Sequence, residues 1–273
     1  MVGTVDSVGE AISPERVQEI RARLAAVERV RVLLAVESGS RAWGFPSPDS
    51  DYDVRFLYVH RPEWYVSVRP GRDVIEEPLD ELLDLNGWDL RKALGLLLKS
   101  NAVLVEWLTS PVRYGEASGF RDAFLSLATR SVRRLPFVHH YLKLGETMRE
   151  NRAFRGDRWP IKKYFYVLRP AAALRWLRLH GGEKLPPMHF PTLIAAGGLP
   201  ERTRALIADL VARKAVTREL GDTEPVPELE GFIDEEFARA RERLGEGREA
   251  ENGPVLSDAD VFLRTWVFGG THG

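Results

Sequence analysis

Two apolar, β-branched runs constrain this chain more than any other feature: RVRVLLAVES at 29–38 and DYDVRFLYV at 51–59. Runs of this length and composition, bounded by turn residues, read as strands. Gly39-Ser40 ends the first run, and glycine permits a sharp turn there. Arg41 to Phe45 has room for one helical turn before Pro46-Ser47-Pro48-Asp49-Ser50, a loop by composition. Along the second run, side chains alternate between faces. Asp51, Asp53, Arg55, Leu57 and Val59 share one, and Tyr52, Val54, Phe56 and Tyr58 the other.

The remainder predicts helices around and after these strands. Ser13-Pro14-Glu15 has the cap residue and first-turn proline of a helix start, so a helix is expected from Pro14 to about Val27, after a short lead at 1–12. A short helix or irregular connection at 61–68 leads to a hairpin-like pair around Asp73–Glu77 and Leu82–Leu85. Asp89 caps an apolar helix at 90–100, and a second helix at 103–108 stops at Ser110-Pro111. Beyond Gly119 the pattern is helical throughout: 119–130, 136–150, 160–180, 201–220, 228–245 and 257–268, with Gly/Pro punctuation at 181–191 and 197–200. The chain is therefore α+β first and all-α second.

Composition narrows the chemistry. With no cysteine, disulfides, thiolate nucleophiles, iron–sulfur clusters and Cys-ligated zinc are excluded, and any metal must be held by oxygen or imidazole. Residues 1–20 carry no basic, then apolar, leader pattern, and no run reaches the roughly 18 apolar residues of a membrane span. The expectation is a soluble cytoplasmic protein with no membrane partner.

Asp51 and Asp53 bring two carboxylates to one strand face, just downstream of the Gly39-Ser40 turn. Carboxylates so spaced can share divalent cations, and Mg²⁺ takes hard oxygen ligands while leaving positions for substrate phosphates. A glycine-serine turn entering a helix presents backbone N–H groups and a hydroxyl to phosphate. Each feature alone is commonly an ordinary turn or a solvated strand end; together they suit attack of a hydroxyl on a nucleotide α-phosphate.

The Gly39-Ser40 turn followed by Asp51-x-Asp53 resembles the nucleotidyltransferases of the DNA polymerase β superfamily. The segments ESGSRAWGFPSPDSDYDVRFLYV, LNGWDLRKALGLLLKSN with VEWLTSP, and KKYFYVLRPAAALRW are similar to the RNA-repair family of RNA-ligase-associated polymerases, over about residues 30–190. That resemblance implies a small mixed β-sheet nucleotidyltransferase core with flanking helices at 1–115. An all-α domain at 116–273 would complete the NTP and RNA cleft. It further implies two divalent metals, Mg²⁺ or Mn²⁺, and addition of a nucleoside monophosphate to an RNA 3′ end. By the same match Asp51 and Asp53 ligate both metals, and Gly39 and Ser40 hold the β- and γ-phosphates. The third acid is Asp84, on a neighbouring strand, with Asp89 as the alternative; Asn86-Gly87 departs from the usual pattern after Asp84.

Charge is unevenly distributed. Residues 143–184 carry 11 Lys/Arg against 4 acids, whereas 221–260 carry 13 acids against 4 Arg. The basic block is expected to meet RNA phosphates; alternatively both blocks are solvated helical faces. On the helix at 160–180, Lys162, Tyr166 and Arg169 fall on one face, so Lys162 or Lys163 with Arg169 would neutralise triphosphate while Tyr166 contacts the nucleotide. The rival reading is a core helix with snorkelling cations. Arg41 and Lys92 are weaker phosphate candidates, Trp43 and Trp159 border the motifs as stacking candidates, and His139-His140 points in two directions on a helix. Two alternatives stay open: transfer to a small-molecule or protein hydroxyl, and an inactive nucleotide- or RNA-binding module.

Overall fold

A computed structural model describes residues 12–27, 29–69, 71–77, 82–150, 158–181, 185–216, 221–246 and 256–269. The chain divides into two compact units, one of residues 1–42, 51–132 and 252–273, the other of 43–50 and 133–251.

The first unit is built on a five-stranded mixed sheet of order β3-β4-β2-β1-β5. Helix α1 (Pro14–Ala26) starts where expected, the Ser13 side chain accepting the Arg16 N–H at 3.3 Å. Its Val17, Ile20 and Leu24 pack on Val54, Phe56 and Tyr58, so α1 covers one sheet face. Strands β1 (Val30–Glu37) and β2 (Tyr52–His60) pair antiparallel, joined through the short helix α2 (Gly39–Trp43). After α3 (Pro62–Tyr65), β3 (Val74–Glu76) and β4 (Leu83–Asp89) pair antiparallel as the sequence implies, and β4 lies parallel to β2.

Asn86-Gly87, which departs from the usual pattern after Asp84, lies inside β4. β4 runs straight through it because Gly87 is where the strand passes the Phe56 ring: a β-carbon there would stand 2.3 Å from ring carbons. Helices α4 (Leu90–Leu98) and α5 (Ala102–Thr109) follow, and then β5 (Arg113–Glu116), an edge strand on β1 that the sequence reading leaves out. Only Tyr114 of that strand is buried, so it offers no apolar run to detect.

Helix α6 (Phe120–Ser131) also belongs to the sheet unit, as does the last helix of the chain. Phe120 and Phe124 pack on Phe262, 5.8 and 4.9 Å between ring centroids, and Phe120 meets Trp266 edge-on. The units thus divide at 132/133 rather than 115/116, because these aromatic contacts are long-range and leave no local trace in sequence.

The second unit contains α7 (Arg134–Glu150), β6 (Trp159–Pro160), α8 (Ile161–Leu179), α9 (Phe190–Ala196), α10 (Glu201–Val216), β7 (Asp222–Thr223) and α11 (Pro227–Gly245). The last helix, α12 (Leu256–Phe268), is the one returned to the sheet unit. Helix α8 is the unit's centre and stays helical through Pro170. Phe45 stacks on Phe165 at 4.5 Å and meets Phe190 edge-on.

The acidic C-terminal block now has a structural explanation. Arg149 pairs with Glu230 and Asp234, Arg158 with Glu224, and both Arg175 and Arg178 with Glu236. Four of the eight described cations of the basic block thus pair with the acidic block within this unit. Arg152, Arg155 and Lys184 of the basic block, and 247–254 of the acidic stretch, lie outside the described residues. No helix among the described residues is long and apolar enough to cross a membrane.

Candidate active site

The site forms at the end of the sheet where β1 runs out and β2 begins. Glu37 ends β1 and is 0% exposed. One carboxyl oxygen accepts the Asp53 N–H at 2.9 Å, and the other takes the hydroxyl of Tyr114 from β5. The Ser38 N–H donates to the Asp53 carbonyl at 2.8 Å, so the two strands are clamped beside the turn. Burial pushes the Glu37 carboxyl up to about 8, against the hydrogen bonds from Tyr114 and the Asp53 N–H, so it is mostly protonated at neutral pH. Sequence reasoning missed Glu37. Its signal was a lone acid closing an apolar strand.

Gly39 takes φ of +58°, and a β-carbon on it would lie 1.8 Å from Asp53 Oδ2. The turn therefore needs glycine twice, for its backbone conformation and for the close approach of the carboxylate. Ser40 follows in α2, half-buried. Arg41 Nε donates to the Asp51 carbonyl at 3.1 Å, and its guanidinium lies 4.0 Å over the Tyr52 ring. It braces the turn. Asp51 sits just ahead of β2 and is exposed.

In the parallel pairing of β2 with β4, Asp53 stands opposite Asp84. Arg55 Nη2 lies 3.0 Å from Asp53 Oδ1 and 2.7 Å from Asp84 Oδ2, while its Nη1 donates to the carbonyls of Val54 and Asp84. Two adjacent carboxylates thus share one cationic group. Asp89 stands five residues further along β4, opposite Tyr58. It is buried, caps α4 by accepting the Arg91 N–H at 2.8 Å, and accepts the Tyr65 hydroxyl at 2.6 Å. Burial raises its carboxyl above the usual aspartate range. Of the two acids, the fold sets Asp84 beside Asp53 and uses Asp89 as a cap.

Among the described residues, no group of three or more His, Cys, Asp or Glu is placed to hold a metal ion. The gathered acids are the Asp53–Asp84 pair. This pair still suits a hard divalent ion: its donors are all oxygen and it already accommodates a cationic group between them. Mg²⁺ in particular is commonly bound by one or two carboxylates plus substrate phosphates and water.

The other candidates are divided between the two units. Lys92 is paired with Asp73 at 3.4 Å. In the helical unit, Lys162, Lys163 and Tyr166 are half-buried, but Arg169 is 4% exposed with its guanidinium 4.5 Å over the Trp43 ring. Tyr166 meets the same ring edge-on at 5.8 Å. That face of α8 is core at Arg169 and half-buried at Lys162 and Tyr166. Trp159 is buried against Tyr164, and His139 is exposed while His140 lies against Tyr141.

A strand carboxylate pressed against a glycine turn, with a second carboxylate in register on the next strand, marks a polymerase β-like nucleotidyltransferase. Residues 14–265 match the RNA repair pathway DNA polymerase beta family, RlaP, and the chain belongs to that family. It is 40% identical over 247 residues to "Uncharacterized protein YcgL" of Bacillus subtilis (strain 168), spanning 89% of this chain and 94% of that protein. Among solved structures it is similar to a nucleotidyltransferase-like protein from Exiguobacterium sibiricum 255-15, at 15% identity over 92% of this chain and 88% of that one, with a TM-score of 0.28. That score is too low for the two folds to be equated.

Proposed function

We propose that the protein is an NTP- and divalent-metal-dependent nucleotidyltransferase that adds a nucleoside monophosphate to the 3′-hydroxyl of an RNA, in repair or end maturation. The observation that carries this reading is the contact of Gly39 with the Asp53 carboxylate, with Asp84 in register beside it. The 3′-oxygen attacks the α-phosphorus, the bond from that phosphorus to the α–β bridging oxygen breaks, pyrophosphate leaves, and the hydroxyl proton passes to solvent.

In this reading Asp53 and Asp84, with Asp51, would hold Mg²⁺ or Mn²⁺, which when bound would supply charge neutralisation at the reacting phosphate and a lower pKa for the attacking hydroxyl. Gly39 and Ser40 offer backbone and hydroxyl donors to the β- and γ-phosphates, and Arg41 supports the same turn. Glu37, neutral and buried, fixes the Asp53 peptide without adding a further negative charge.

The test is pyrophosphate release from each NTP in Mg²⁺ or Mn²⁺, with and without a short RNA bearing a free 3′-hydroxyl. Release that requires this RNA and stops when its 3′ end is blocked supports the reading. Release with small hydroxyl acceptors alone replaces RNA by a small-molecule acceptor, and binding of NTP without release with any acceptor indicates an inactive module.

A further inference from the structure

An RNA substrate must be held along its backbone, yet in the basic block of the helical unit Arg149, Arg158, Arg175 and Arg178 are all paired with carboxylates of α11 and its approach. A cavity in that unit is of mixed charge, with Arg134, Arg178, Arg239 and Arg243 interleaved with Glu236, Glu242 and Glu246. The sheet unit offers the opposite case. At the far end of the β1–β2 ladder from Asp53, a cavity of about 320 Å³ is lined by Arg29, Arg31, His60 and Arg61, the rest of its wall being valine and proline. Among the described residues no carboxylate lines it.

Arg29, Arg31 and Arg61 are all exposed, and none of them forms an ion pair among the described residues. Arg31 is held at the rim by donating to the Trp266 carbonyl. Arg29 is fixed at φ 66°, a left-handed conformation that non-glycine residues seldom adopt. His60 stacks on Trp64 with centroids 4.1 Å apart, so an aromatic surface adjoins the guanidinium groups. Guanidinium donors with adjoining aromatic rings suit the sugar-phosphate backbone of a single-stranded nucleic acid.

We propose that this cavity seats the RNA backbone upstream of the 3′ end presented at Asp53, an inference that rests on the RNA reading of the acceptor. Val30 pairs with His60 and Glu37 with Val54, so the two ends are seven residues apart along β1. That is about 23 Å of strand. At one phosphate per roughly 3.4 Å of stacked strand, about seven nucleotides bridge it. RNA shorter than this reaches one end only.

The test measures fluorescence anisotropy of 5′-fluorescein RNAs of about 5 and about 12 nucleotides, the lengths set by that span, between roughly 50 and 200 mM KCl. It uses the full chain, wild type against Arg29→Gln/Arg61→Gln, with Arg29→Lys/Arg61→Lys retaining charge. The Gln variant should bind the longer RNA at least about tenfold more weakly, and its slope of log K against log salt should be shallower by about 1.4. The Lys variant should keep the salt slope, and the shorter RNA, which reaches one end only, should bind wild type more weakly than the longer one. Equal affinity and slope for wild type and the Gln variant on the longer RNA would overturn the proposal. Complete displacement of that RNA by millimolar orthophosphate at constant ionic strength would assign the cavity to a free phosphate and overturn it too. A wild type that extends RNA while the Gln variant binds it unchanged refutes the seat alone. A wild type that binds no RNA yet transfers nucleotide to a small hydroxyl refutes the RNA reading, and the seat with it.

Discussion

Gly39 lies so close to Asp53 that a β-carbon at residue 39 would stand 1.8 Å from the carboxylate Oδ2. A methyl group there must push the carboxylate out of register with Asp84 or distort a turn already at φ +58°. Gly39→Ala is expected to cost about 1–3 kcal/mol of stability, from strain at a left-handed position. Nucleotide transfer should fall by at least about a hundredfold, the scale expected when a reacting group is misplaced by about an ångström. Thermal denaturation alongside pyrophosphate release separates the two effects; an active Gly39→Ala protein would contradict the importance of this contact.

Asp84 and Asp89 make opposite predictions. Asp84→Asn should weaken Mn²⁺ binding, read by electron paramagnetic resonance, by about tenfold, or 1.4 kcal/mol. Asp89→Asn should leave Mn²⁺ affinity unchanged and lower stability by about 1–2 kcal/mol, through its bonds to the Arg91 N–H and the Tyr65 hydroxyl. Arg55→Gln should tighten Mn²⁺ binding, because the guanidinium shared by Asp53 and Asp84 competes with any other cation for the same oxygens.

Glu37 gives a pH dependence with a defined sign. Its carboxyl titrates near 4.5 when unfolded and at about 8 when folded, so between these values the folded state holds the proton more tightly. The contribution to stability is full below about pH 4.5 and is lost as pH rises through about 8. Relative to Glu37→Gln, which cannot titrate, wild type should lose melting temperature steadily from about pH 5 to about pH 8 and level off above. A constant difference between the two melting curves across that range would show that Glu37 is ionised throughout.

Glu236 is 1% exposed and takes Arg175 at 2.8 Å and Arg178 at 2.7 Å. Glu236→Ala deprives Arg175 and Arg178 of the buried carboxylate they share and should cost about 3 kcal/mol, measured by urea denaturation. The expected loss is in stability, with RNA-dependent transfer per folded molecule unchanged.

Local features carried most of what the sequence disclosed. The helix start at Ser13-Pro14, the strands on either side of Gly39, the alternation that puts Asp53 and Arg55 on one face, and the Asp89 cap are decided within a few residues. What sequence left open was decided by pairing between distant segments. Asp84 meets Asp53 only because β4 lies parallel to β2, and Gly87 departed from the strand pattern because its reason, the Phe56 ring, is 31 residues away. Glu37 was passed over because a buried acid at a strand end is indistinguishable in sequence from a solvated one. The two charge blocks read as separate faces, whereas Arg149, Arg175 and Arg178 bind acids far along the chain.

The most direct measurement is gel-resolved extension of a labelled RNA with a free 3′-hydroxyl, using each NTP in turn, by wild type and by Asp53→Asn in Mg²⁺ or Mn²⁺. The account predicts extension by wild type that vanishes when the RNA 3′ end is blocked, and falls below about a thousandth of wild type in Asp53→Asn, a loss of about 4 kcal/mol of transition-state stabilisation. Extension that persists in the folded Asp53→Asn protein, or its absence from wild type with every NTP, would contradict it.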